Sequence, residues 1–70
     1  MTLEELHAKY QALADTCEKR GDEFHKQAQE LVAEGDSETA SRYYAMANSE
    51  YQIAGIYIDF AIALCQIEIK

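Results

Sequence analysis

Seventy residues leave room for one small domain with one modest core. Hydrophobic residues at 49% exclude a disordered tail, charged residues at 27% exclude a membrane-embedded chain, and the lack of proline with only three glycines excludes a turn-rich all-β fold. Thirteen acidic against six basic residues set a formal charge of −7 with no basic tail, which repels phosphates and anionic lipid and attracts a partner with a basic surface.

Thr2 followed three residues later by Glu5 is a capping box, so a helix is predicted over about residues 2–34. Leu3, Leu6, Tyr10, Leu13, Cys17, Phe24 and Leu31 keep one heptad phase along it, with Ala14, Gly21 and Ala28 seven apart on the adjoining edge. Glu5 with Lys9, Asp15 with Lys19 and Asp22 with Lys26 place an acid four residues before a base, as a solvated helix face does. Lys19-Arg20-Gly21-Asp22 also reads as one helix ending and another starting at an Asp cap, which would make three helices. The unbroken phase of Cys17, Phe24 and Leu31 across it favours continuity.

Gly35 and Asp36 form the clearest turn: a glycine free to adopt the left-handed conformation, then Asp36 or Ser37 to cap a second helix over about residues 37–69. Its first turns repeat the acid-before-base pattern at Glu38 and Arg42. Residues Ile67 to Lys70 alternate like a strand, but an isolated strand has no partner, so this is expected to be a fraying helix end. Two helices of near-equal length joined by a short turn make a long antiparallel hairpin, all-α, each arm about 50 Å long. With the turn at residues 35–36, facing residues sum to about 71. Leu31 then meets Ala40, Phe24 meets Ala47, Cys17 meets Ala54 and Tyr10 meets Ala61, while Ala28 meets Tyr43 and Ala14 meets Tyr57. Large is expected to face small along the whole seam.

One partner helix cannot cover the second helix. Ile53, Ile56, Phe60, Ala63 and Ile67 project away from the face assigned to the first helix, and a soluble monomer rarely leaves such a strip in water. A second copy is the simplest cover, pairing hairpins through the C-terminal half of the second helix into a homodimeric four-helix bundle. A different protein is the alternative. The stretch from Ile53 to Ile69 is interrupted by Asp59, Gln66 and Glu68 and falls short of a membrane span. The N-terminus lacks a secretion-signal pattern, and Cys17 and Cys65 do not resemble a disulfide framework, so a cytoplasmic protein with reduced cysteines is expected.

Chemistry is sparse. Glu4 with His7 and Asp22 with His25 have the carboxylate–histidine spacing of di-iron bundles, but they lie on one helix about 27 Å apart with no facing bridging glutamates, so no metal or cofactor is expected. Cys17 and Cys65 read as small apolar residues, and the five tyrosines as seam residues whose hydroxyls reach water. Phosphate loops, catalytic triads and zinc-type cysteine pairs are missing, so no enzymatic activity is expected.

Residues 24–47 resemble a tetratricopeptide repeat on Gly35, Asp36, Ala40, Tyr43, Tyr44 and Ala47, with Phe24, Ala28 and Leu31 near the family's first-helix packing positions. The family's tryptophan and glycine in the first helix and its closing proline are missing, and both helices exceed repeat length. The resemblance implies a packed helical hairpin and a protein-interaction role. Together these features predict a non-enzymatic regulator or adaptor that self-associates and binds another protein. The alternative is an acidic nucleic-acid mimic that blocks a DNA- or RNA-binding protein, as small phage-encoded inhibitors do.

Overall fold

Thr2 opens the first helix. Its carbonyl accepts from the Leu6 N–H (3.0 Å) and its Oγ1 from the Glu5 N–H (3.1 Å), which satisfies a donor that the helix start would orphan. The Glu5 carboxylate turns back onto the Thr2 hydroxyl, 3.3 Å away, so the box closes side chain to side chain. Helix α1 then runs Leu3–Ala33 and passes through Gly21 without a break; the three-helix alternative is not adopted. Its end is closed by Gly35 at φ +87°, with the Gly35 N–H on the Val32 carbonyl (3.0 Å) and the Asp36 N–H on that of Leu31 (2.9 Å). This pair of bonds takes up carbonyls that the last turn leaves unpaired. Asp36 serves twice, because its carbonyl accepts from Ala40 and its Oδ1 from the Thr39 N–H (3.2 Å), which starts helix α2 over Ser37–Ile69.

The computed structural model describes residues 1–69, the last two by backbone alone. The backbone is helical through Ile69, so residues 67–69 of the expected fraying end are helix, and Lys70 lies outside the described residues. The two helices pack as a hairpin 54 Å long and 14 by 13 Å across at the Cα level. Its radius of gyration, 15.9 Å, compares with about 11 Å for a compact 70-residue domain, so the molecule is a rod.

The seam is built from small residues on both sides. Ala14, Cys17, Gly21 and Ala28 are buried on α1, and Ala40, Ala47, Ala54 and Ala61, each seven residues from the next, on α2. Among the described residues no side chain larger than cysteine is buried. Seven-residue spacing keeps the stripe facing the partner along the full rod, and its small side chains let the two backbones approach closely.

Facing levels follow the expected register: Cys17 clusters with Ala54, Tyr57 packs on that cluster, and Arg20 reaches Glu50. Beside the stripe there are aromatic pairs that the register alone did not anticipate. Phe24 meets Tyr43 with ring centroids 6.1 Å apart and Tyr10 meets Tyr57 at 6.0 Å, so large meets large beside the stripe while small meets small within it. A sum of residue numbers gives height along a rod, not which edge of the helix a side chain occupies. The four local acid–base pairs, Glu5–Lys9, Asp15–Lys19, Asp22–Lys26 and Glu38–Arg42, do not close; among the described residues the ion pair formed is Arg20–Glu50. Long exposed side chains gain little from holding one geometry.

Two substitutions test this seam. Ala54→Leu forces the backbones apart and should lower stability by about 1–3 kcal/mol in urea unfolding. At Gly21 a Cβ would lie 2.7 Å from the Tyr51 ring. Gly21→Ala should therefore stabilise by about 0.5–1 kcal/mol in a Tyr51→Ala background, where only helix propensity acts, and lose that gain in the native chain.

Candidate interaction surface

The Ala stripe leaves most of the large side chains of both helices on one side of the hairpin. Tyr10 anchors this face, with its ring 6.0 Å from Tyr57 and 5.5 Å from Phe60, centroid to centroid. Phe24 and Tyr43 occupy it near the turn, and Arg20 with Glu50 lies between these aromatic groups. About 100° round from the stripe, Leu6, Leu13, Arg20 and Gln27 on α1 and Met46, Ile53, Phe60 and Ile67 on α2 repeat every seven residues and point outward. The half toward the open end is thus apolar, and Arg20 with Glu50 marks its border.

The five residues singled out from sequence are all exposed: Ile53 at 41%, Ile56 at 52%, Phe60 at 50% and Ile67 at 59%, with Ala63 exposed beside them. They do not form one uniform row. Ile53, Phe60 and Ile67 point out of the aromatic face, whereas Ile56 and Ala63 lie farther round the outer flank of α2. Phe60 was expected to project away from α1, yet its ring packs on Tyr10, because a long side chain at the edge of the seam leans back over its neighbour. Half-buried Leu6, Leu13 and Leu64 extend the patch onto both helices.

Two exposed isoleucines escaped the sequence reading. Ile58 and Ile62 sit across the stripe on the opposite face, Ile58 lining a shallow cleft of about 330 Å³ with Gln11, Ala14 and Asp15. The signal for them was present: apart from Asp59, residues 53–64 carry no charged or amide side chain on any side of the helix, which is more apolar surface than one face can bury.

The opposite face is otherwise polar. Tyr51 donates a 2.6 Å hydrogen bond to Asp22 Oδ1, and its ring lies over Gly21, where only a missing side chain leaves room. His25 meets Tyr44 edge-on at 5.2 Å, and Glu4, Asp15 and Glu18 are exposed on the same side. The Asp22 bond is the main reason that the Tyr51 phenol has a raised pKa, with partial burial and the charges of Asp22 and Glu18 adding to it.

Glu50 is the single acid, among the described residues, that is withdrawn from water. Its side chain is 18% exposed, its Oε2 is buried with no hydrogen-bond partner, and its Oε1 lies 3.8 Å from Arg20 Nη1, beyond hydrogen-bond range. Burial chiefly, then the adjacent Glu50 charge and the thiol's hydrogen bond toward that carboxylate, push up the pKa of the Cys17 thiol, against a smaller opposing effect of Arg20. A thiol so placed stays protonated, which is the reverse of nucleophile activation. Cys17 and Cys65 are both free; Cys65 is eleven residues beyond Ala54, the neighbour of Cys17, or about 17 Å along the helix, too far for a bridge within one hairpin.

Among the described residues, no three His, Cys, Asp or Glu side chains gather as a metal-holding group, and no helix is long and apolar enough to cross a membrane. No family model, curated protein or solved structure matches the chain.

The Tyr51–Asp22 bond has a pH signature. A phenol whose folded pKa is raised adds stability in full below its unfolded pKa of about 10, and loses it as pH rises through the folded value. Thermal unfolding followed from about pH 8 to 11 should therefore show a steeper alkaline decline for the native chain than for Tyr51→Phe.

Proposed function

We propose that this protein is a non-enzymatic helical hairpin that works by self-association and protein–protein contact, as a small regulator or adaptor in a reducing cytoplasm. One observation carries the reading: among the described residues no large apolar side chain is buried by the hairpin's own fold. The accessible surface is 5152 Å², whereas a compact chain of 7.9 kDa exposes about 4,400 Å². The surplus of about 750 Å² is close to the ~800 Å² that each partner contributes to a standard interface.

Energy decides how much of the face takes part. Ile53, Ile56, Phe60 and Ile67 are already about half covered, so finishing their burial offers about 3–6 kcal/mol per chain, or about 6–12 for two chains. Association costs about 4–15 kcal/mol, so these four are near break-even on their own. Cover must extend to Leu6, Tyr10, Leu13, Tyr57 and Leu64, which places α1 in the interface beside α2. A second copy of the hairpin offers a matching two-helix face and completes a four-helix bundle with two-fold symmetry.

A second reading is favoured by the other face, where Glu4, Asp15, Glu18 and Asp22 stand without an intervening lysine or arginine on that side of α1. Such a surface suits a basic partner, including the nucleic-acid site of a DNA- or RNA-binding protein. Salt separates the two: capture of a basic partner weakens steeply as ionic strength rises, and apolar pairing does not.

Sedimentation equilibrium of the pure chain should give twice the monomer mass. Ile56→Asp with Phe60→Asp should return it to monomer mass with little loss of helicity by circular dichroism. A native chain that stays monomeric at high concentration contradicts self-association.

A further inference from the structure

The proposed pairing can be oriented from the middle of the rod. Residue 18 is the midpoint of α1 (Leu3–Ala33) and residue 53 that of α2 (Ser37–Ile69), so Arg20 and Glu50 lie within a turn of the centre, at one level. Here an apolar face is interrupted by a carboxylate largely withdrawn from water: Oε2 is enclosed by the hairpin itself, on the side of the Cys17 thiol, and Oε1 stays 3.8 Å from Arg20. An acceptor left in that state is unfavourable, and most buried acceptors find a partner. The Arg20 guanidinium, 58% exposed and with five N–H donors, stands beside it without reaching hydrogen-bond distance. The pair is therefore incomplete within one hairpin.

We infer that a second copy lies side by side on the face bearing Tyr10, Leu13 and Phe60, with both turns at the same end, and that Glu50 of each copy receives Arg20 of the other. This rests on the self-association proposed above and adds its direction and register. Two kinds of two-fold axis can set this face against itself. An axis along the rod places α1 over the partner's α2 with every level matched, so apolar half covers apolar half and Arg20 stands opposite the partner's Glu50.

An axis across the rod fails in either position. Set at the rod's centre, it lays the apolar half against the turn half, where Arg20 and Gln27 replace leucines. Set at the centre of the apolar patch, near Tyr10 and Phe60, it leaves Glu50 about 15 Å away, past the partner's last turn, with Oε1 still short of a hydrogen-bonded cation. A polar pair placed within an apolar interface is a known means of fixing register, since any slip strands both charges.

Charge exchange tests the contact between copies. Arg20→Glu alone and Glu50→Arg alone should each weaken dimerisation about tenfold or more. Mixed in equal amounts, the two variants should form the heterodimer in preference to either homodimer, read by native mass spectrometry. The mixture opposes unlike charges across both contacts between chains, while each chain keeps like charges within itself. A statistical or weaker mixture overturns the proposal, since a purely internal pair gains nothing from mixing. Small-angle scattering of the unaltered dimer gives an independent answer if a variant folds poorly. The Cα length should stay close to the 54 Å of one hairpin, whereas the staggered arrangement gives about 75 Å and overturns the orientation while leaving self-association intact. A monomeric native chain removes both readings.

Discussion

The close approach of two long helices through a stripe of alanines is the constraint from which the rest of this structure follows. Ala40, Ala47, Ala54 and Ala61 on one side and Ala14, Cys17, Gly21 and Ala28 on the other leave no space between the backbones for a leucine or a phenylalanine. Alanine brings only a methyl group to the core, so the seam gains contact density and little buried apolar area. Large residues are not absent from the chain; they are displaced sideways. In both helices most of them fall on the same side of the stripe, and two incomplete rows become one broad apolar face.

That division gives the hairpin two unlike sides. On one, Tyr10, Tyr57 and Phe60 make a half-buried aromatic group that continues into exposed isoleucines. On the other, Tyr51 crosses the seam to bond Asp22 and rests on Gly21, a specific contact that ties the helices in register without adding to the core. Arg20 and Glu50 sit on the apolar side near the middle of the rod, where a charge is least easily solvated once the face is covered. The same displacement of bulk thus creates both the surface on which pairing is proposed and the polar group proposed to align it.

Features governed by local backbone chemistry were legible in the sequence. Thr2, Gly35 and Asp36 announce helix ends because the unpaired amides and carbonyls there must be met by residues a few positions away. Continuity through Gly21 could be inferred from the heptad phase, since a real corner would have moved Phe24 and Leu31 off the stripe. The exposure of Ile53, Ile56, Ala63 and Ile67 followed from counting apolar residues around one helix. What could not be read was lateral: Phe24 on Tyr43, Phe60 leaning onto Tyr10, and Ile58 with Ile62 on the far side.

By itself, then, the sequence determined two helices, the turn between them, the level at which each residue meets its neighbour, and an excess of apolar side chains over what one partner helix can shelter. These depend on spacing along a chain, which is written directly in residue order. Only the tertiary structure decided that the small residues form the contact while the large ones flank it, and that Glu50 is enclosed with one oxygen unpaired. The reason is geometric: which edge of a helix a side chain occupies depends on how closely the second backbone approaches, and that distance is a property of both helices together.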